Sequence, residues 1–290
     1  MVETRVLPGD SQASIAEAAA AICAGEPVAF PTETVYGLGA DALDPEAVAR
    51  VFAAKERPSF DPLIVHVAAA TGIEALAVAE DVADPRVQIL ADACWPGPLT
   101  IVLRKRTIVP GIVTAGLDTV GLRVPDHPIA LRLIEGAGVP IAAPSANRFG
   151  RVSPTRAEHV VAQLGGRIGI VLDGGPCRVG VESTVVSLAD GPALLLRPGG
   201  TPTETIERLI GRLHLPSGRA AGPSSSPGRA QSHYATRVRL EVIPARGAAA
   251  ARHGERLGLL AADDEGRRAA DADGGPYAAV EVLSPSGDEI

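Results

Sequence analysis

The sequence predicts an α/β domain with a mixed sheet over residues 1 to about 212, and three observations carry that expectation. Short runs rich in Val, Ile and Leu, each of strand length, recur at 27–30, 63–67, 99–103, 119–124, 139–142, 169–172, 184–188 and 193–196. Capped helical segments alternate with these runs through the first half, and the closely spaced last runs suggest hairpins. Hydrophobic residues make up 46% of the chain but aromatics only 3%, so the predicted core is built from Ala, Val, Leu and Ile.

The helices are read from their starts. Asp10 or Ser11 precedes an Ala-rich segment that ends at Gly25. Asp44-Pro45 opens a segment to about Ala54, and Asp84-Pro85 opens one over 86–94, each with proline at the first helical position. Thr201-Pro202-Thr203-Glu204 reads as a capping box leading a helix to about Arg212. The composition then changes: ten of the thirteen residues 216–228 are Gly, Pro or Ser, which predicts a linker. Beyond it, 238–243, 256–261 and 278–283 have strand character. The expected organisation is a domain at 1–212, a flexible linker at 213–237 and a small α/β segment at 238–290.

Composition excludes several function classes. The net charge of −7 argues against a general nucleic-acid coat. No run of eighteen apolar residues is present, so no membrane span is expected, and no basic start precedes an apolar stretch as in a signal peptide. Cys23, Cys94 and Cys177 are widely spaced without CxxC, which fits neither a standard zinc site nor a disulfide framework. The chain reads as cytoplasmic. GxxxxGK[ST], GxGxxG after the first strand, HExxH and GxSxG are all missing.

Four segments are singled out for chemistry. In Phe30-Pro31-Thr32-Glu33-Thr34-Val35-Tyr36-Gly37-Leu38-Gly39-Ala40, proline ends a strand, hydrogen-bonding side chains follow, and two glycines are expected to supply positive φ and close backbone approach. Lys55-Glu56-Arg57-Pro58 then Asp61 to His66 brings an ammonium and a guanidinium two residues apart, suited to a polyphosphate. Ala143-Pro144-Ser145-Ala146-Asn147 follows a strand and offers neutral donors and acceptors for phosphate or sugar. Gly180-Val181-Glu182-Ser183-Thr184 lies between the glycine pair 174–175 and Arg197.

Together with Trp95-Pro96-Gly97-Pro98-Leu99-Thr100 and Gly121-Leu122-Arg123-Val124-Pro125, these segments resemble the L-threonylcarbamoyladenylate synthases of the YrdC-like family, over residues 1 to about 212. The linker followed by His233-Tyr234 resembles the long, two-domain form, with a C-terminal domain shortened here. The resemblance implies a YrdC-like twisted mixed sheet with flanking helices. It also implies a reaction, in which L-threonine, bicarbonate and ATP, with Mg²⁺, give threonylcarbamoyl-adenylate and diphosphate for N6-threonylcarbamoyladenosine in tRNA. The product would pass to downstream threonylcarbamoyl-transfer machinery, with RNA contact weak or indirect and no membrane partner. By position, Lys55 and Arg57 match the catalytic basic pair at the phosphates. Asp61, Thr119, Ser145, Asn147, Ser153, Arg197 and Tyr234 match ATP positions, while Thr34, His66, Arg123, Ala143 and Ser183 match threonine positions. The family usually carries Asn where Asp61 stands, so this chain sets a carboxylate beside the expected polyphosphate site.

Overall fold

A computed structural model describes residues 2–57 and 61–216, and the backbone of 257–261 and 277–282. The chain divides into two compact units, Met1–Ala235 and Thr236–Ile290.

The described residues of the first unit form ten strands: β1 (Arg5–Pro8), β2 (Val28–Phe30), β3 (Gly37–Asp41), β4 (Ile64–His66), β5 (Leu99–Arg104), β6 (Thr119–Arg123), β7 (Ile141–Ala142), β8 (Ile170–Asp173), β9 (Thr184–Ser187) and β10 (Leu194–Arg197). They form one mixed sheet in the order β1-β8-β2-β3-β7-β4-β6-β5-β9-β10. The eight apolar runs all become strands, and the last two pair as the expected antiparallel hairpin.

Among the described residues seven α-helices flank the sheet: α1 (Gln12–Cys23), α2 (Pro45–Lys55), α3 (Ala79–Val82), α4 (Pro85–Cys94), α5 (Pro128–Ala137), α6 (Ala157–Leu164) and α7 (Thr203–Ile210). Ser11 caps α1. Asp44 and Asp84 each accept from the amide two residues on at 2.8 Å, with proline at the start of α2 and α4. The capping box does not form. Thr201 exchanges hydrogen bonds with the Thr184 hydroxyl, through its own amide (3.1 Å) and carbonyl (2.6 Å). Helix α7 therefore starts at Thr203 without a side-chain cap and stops at Ile210.

Burial on both faces explains why the strands read as continuous apolar runs. In β2, Val28 and Phe30 join a cluster with Ile15, Ile22 and Leu133 of α1 and α5, while Ala29 joins Val51 and Val160 of α2 and α6 on the other face. Residues Ile170, Val171 and Leu172 of β8 alternate the same way. In the other half of the sheet, one face is thickly covered: Leu99, Ile101, Leu103, Val120 and Leu122 pack with Val87 and Leu90 of α4 and Ile206 of α7. Among the described residues the opposite face carries only a small cluster of Val102, Val185 and Leu196. The alternation that buries Val65, Leu122 and Ile101 leaves Ile64, His66, Thr119, Gly121, Arg123 and Thr100 for that thinly covered face.

The two glycines of the first singled-out segment do not take positive φ. They lie in β3, where Gly37 and Gly39 pair antiparallel with Phe30 and Val28. Close approach is their reason: a Cβ on Gly39 would lie 2.5 Å from Ile141 Cγ2 and 2.6 Å from Phe30 Cε1. In the second unit, β11 (Leu257–Ala261) and β12 (Tyr277–Val282) pair in parallel, matching two of the three expected strands; residues 238–243 lie outside the described ones.

Candidate active site

The thinly covered face opens into a cleft. Thr32, Thr34, Val35, Gly37, Arg57, Ile64, His66, Arg123, Ala143, Pro144, Ser145, Glu182, Ser183 and Arg197 line it. A smaller hollow adjoins it through Ile64 and is lined by Thr100, Thr119 and Gly121. The four segments separated in sequence thus meet at one place, because β3, β7, β4, β6, β5 and β9 are successive neighbours in the sheet.

Loop 31–36 is held by its own hydroxyls and by two distant segments. Thr32 Oγ1 donates to Val35 O (2.7 Å), accepts from the amides of Thr34 and Val35, and lies 2.8 Å from Thr34 Oγ1. The amides of Tyr36 and Leu38 donate to Pro154 O and Pro144 O, and those of Val179 and Gly180 donate to Glu33 O and Thr34 O. Tyr36 is fully buried and its hydroxyl donates to Gly175 O at 2.8 Å, so the phenol is structural; burial raises its pKa well above the ordinary tyrosine range.

Arg123 and His66 are Cα partners across the parallel strands β4 and β6. Arg123 Nε donates to Gly97 O (3.1 Å) and Nη2 to Thr34 Oγ1 (3.1 Å), while Nη2 also lies 2.7 Å from Glu33 Oε1. His66 is buried, with its ring edge-on to Phe30 at 6.3 Å. Burial, then the charge of Arg123, pushes its pKa down to about 3, so the imidazole facing the cleft is neutral at physiological pH. Its Nδ1 has no hydrogen-bond partner among the described residues. Ser183 Oγ is 2.8 Å from Thr100 Oγ1, and Arg197 holds Ser183 from the other side, donating to its carbonyl from Nε (3.1 Å) and Nη2 (2.9 Å).

The basic pair divides. Between Lys55 and Arg57, Glu56 adopts a left-handed conformation (φ 53°) as the C-cap of α2, and its carboxylate is gripped by Arg148 and Arg167. The turn sends Arg57 into the cleft, where it pairs with Asp61 at 2.8 Å. The carboxylate at position 61 therefore lies against a guanidinium. Lys55 goes the other way. It is 1% exposed, and its ammonium donates to the carbonyls of Ser145 and Asn147. Burial, then the charge of Arg57, holds its pKa well below the ordinary lysine range, with Asp61 opposing.

Of the residues expected at the site, Thr34, Arg57, His66, Arg123, Ala143, Ser145, Ser183 and Arg197 line the larger cleft, and Thr119 lines the adjoining hollow. Lys55, Asp61, Asn147 and Ser153 stand behind the lining. Asn147 Nδ2 donates to Arg148 O and Arg151 O, its Oδ1 accepts from Ser145 Oγ (2.5 Å), and Ser153 Oγ donates to Glu182 Oε1 (2.5 Å). Tyr234 lies outside the described residues. Thr32, Glu33 and Glu182 were not assigned from sequence, although each falls inside a singled-out segment. Among the described residues no group of three or more His, Cys, Asp or Glu side chains could hold a metal by itself, and no helix is long and apolar enough to cross a membrane.

On one face of this mixed α/β sheet an open cleft carries three arginines and a neutral histidine, a lining with the charge to suit a small anionic ligand. The Sua5/YciO/YrdC family profile, described as "Telomere recombination", matches residues 20–199, and the chain belongs to this family. It is 46% identical to the threonylcarbamoyl-AMP synthase of Pyrococcus abyssi over 92% of this chain and 78% of that one. It is 49% identical to the threonylcarbamoyl-AMP synthase of Bacillus subtilis over 79% of this chain and 66% of that one. Among solved structures, P. abyssi Sua5 complexed with L-threonine superposes with a TM-score of 0.77 at 40% identity, covering 98% of this chain and 83% of that one.

Proposed function

We propose that the chain is a cytoplasmic enzyme that makes threonylcarbamoyl-adenylate from L-threonine, bicarbonate and ATP, releasing diphosphate, for the N6-threonylcarbamoyladenosine modification of tRNA. The observation that carries this reading is the 46% identity to a threonylcarbamoyl-AMP synthase across 92% of the chain. The cleft chemistry agrees with it. Arg123 Nη1 makes no hydrogen bond among the described residues and is available to an amino-acid carboxylate. The hydroxyls of Thr34 and Ser183 and the neutral imidazole of His66 surround the same place and suit the threonine side chain and amine. Arg57 and Arg197 supply positive charge for the phosphates.

Loss of the ammonium proton frees the threonine amine to take up bicarbonate carbon with expulsion of water. A carbamate oxygen then attacks the α-phosphorus, and the bond from that phosphorus to the bridging oxygen breaks as diphosphate leaves. The carbamate is already an anionic nucleophile, so the protein's share is positioning and charge neutralisation. Lys55, Asn147 and Ser153 serve by fixing the loop of Ser145 and the carboxylate of Glu182. Of the cleft-lining side chains Glu182 offers the carboxylate oxygens that Mg²⁺ takes, and it would hold an ion that arrives with ATP. When bound, the ion would withdraw charge from the phosphates. The arm around Tyr234 is proposed to close over ATP, and the product to pass to the threonylcarbamoyl-transfer machinery.

The test is diphosphate release from ATP and bicarbonate with and without L-threonine. Release that requires threonine is expected. Release that is absent, or indifferent to threonine, overturns the reading.

A further inference from the structure

Glu33 is 1% exposed, yet it is not part of the cleft lining. Neither carboxylate oxygen makes a hydrogen bond among the described residues, and its ion-pair partner there is Arg123, at 2.7 Å between Oε1 and Nη2. The contact is thus an ion pair without hydrogen-bond alignment, and Oε2 has no hydrogen-bond partner among the described residues. A carboxylate buried this way is costly to the fold, and an apolar side chain of similar volume commonly serves stability as well or better. What the carboxylate supplies must be sought in what it does to its partner.

Arg123 is the residue it acts upon. The guanidinium is planar, so its direction is set once two of its nitrogens are fixed. Nε is fixed by Gly97 O, and Nη2 by Thr34 Oγ1 and Glu33 Oε1. Nη1 alone is left for the cleft. Glu33 reaches this position from a loop whose backbone is pinned by Val179 and Gly180, and it lies close enough to His127 and Cys177 for both to feel its charge.

We infer that Glu33 is a positioning residue for amino-acid recognition: from beneath the floor it holds Arg123 so that Nη1 faces the substrate carboxylate. This rests on the proposed use of Arg123 for threonine. It assigns a role in that recognition to a side chain that does not touch the ligand.

The experiment measures the half-saturation for L-threonine and for ATP in the full chain, together with direct calorimetric binding of L-threonine. The proteins are wild type, Glu33→Gln, Glu33→Asp, Arg123→Ala and the Glu33→Gln/Arg123→Ala double variant. Glu33→Gln keeps the shape and removes the charge. Its threonine half-saturation is expected to rise about 10-fold, with ATP half-saturation and kcat nearly unchanged. Glu33→Asp, which keeps the charge but withdraws it, should lie between wild type and Glu33→Gln. In the double variant, Glu33→Gln should add nothing to the loss caused by Arg123→Ala.

Equal movement of the threonine and ATP requirements in Glu33→Gln or Glu33→Asp would make Glu33 a structural element and overturn the inference. Tighter threonine binding in Glu33→Gln would also overturn it, because the carboxylate would then be weakening Arg123. If Glu33→Gln fails to fold, the Glu33→Asp comparison decides alone. Normal threonine binding by Arg123→Ala would instead sink the reading of the site itself, and so separates the two failures.

Discussion

Lys55→Met separates a phosphate contact from an internal strut. In the structure the Lys55 ammonium is buried and donates to two loop carbonyls, Ser145 O and Asn147 O. Methionine fills nearly the same volume but offers neither donor. A hydrogen bond to a charged group contributes about 1.5–3 kcal/mol, and two are lost. Against this stands the cost of burying the ammonium, already visible in its lowered pKa, which methionine does not bear. The expected net destabilisation is about 2–4 kcal/mol. At a urea slope of roughly 2 kcal/mol per molar, the unfolding midpoint should fall by about 1–2 M. The chain's single tryptophan, Trp95, is buried and donates from Nε1 to Leu99 O at 2.7 Å, so its fluorescence reports on the domain that contains Lys55. Turnover should fall as well, because the Ser145 loop loses its support. A Lys55→Met protein with an unchanged midpoint but no use of ATP would refute the strut and restore the direct phosphate contact.

Three other outcomes are expected. The folded protein keeps His66 neutral down to about pH 3, whereas the unfolded chain takes up a proton near 6.5. Stability from this site is therefore complete above pH 6.5 and is lost as pH falls towards 3, by at most about 4–5 kcal/mol; His66→Gln should flatten the urea midpoint between pH 6.5 and 4, and an unchanged slope would disprove the assignment. Asp61→Asn removes the carboxylate paired with Arg57; it should cost about 3–5 kcal/mol of stability and lower the ATP half-saturation, whereas a higher ATP requirement with steeper Mg²⁺ dependence would make Asp61 a metal ligand. A Cβ at Gly199 would lie 2.3 Å from Glu182 O and 2.5 Å from Ser183 C; Gly199→Ala should therefore lower thermal stability, by about 1–3 kcal/mol, and weaken threonine binding, and a variant equal to wild type in both would show that this contact relaxes freely.

The strands with both faces buried were legible in sequence because burial leaves continuous apolar runs. Strand β3 was not, since Gly37 and Gly39 dilute its signal; only the packing of Phe30 and Ile141 over Gly39 shows why glycine belongs in a strand there. Helix α5 escaped cap reasoning because its N-cap is a histidine: His127 Nδ1 accepts from Ile129 N at 3.2 Å. The pattern at Thr201 misled because a hydroxyl seventeen residues away in sequence, on Thr184, competes for its backbone. At the site, residue types were readable one by one, but not which of them reach the cleft. That depends on the left-handed Glu56, which is gripped by Arg148 and Arg167, residues far along the chain.

Pairing His66 with Arg123 across hydrogen-bonded strands has a consequence for discrimination. Two side chains rooted on adjacent strands are about 4.8 Å apart at the backbone and cannot drift without breaking the ladder between them. The amino-acid end of the cleft is thus a fixed gauge. Amino acids bulkier than threonine should meet a wall that does not yield, and changing the preferred amino acid would require replacing residues on these strands.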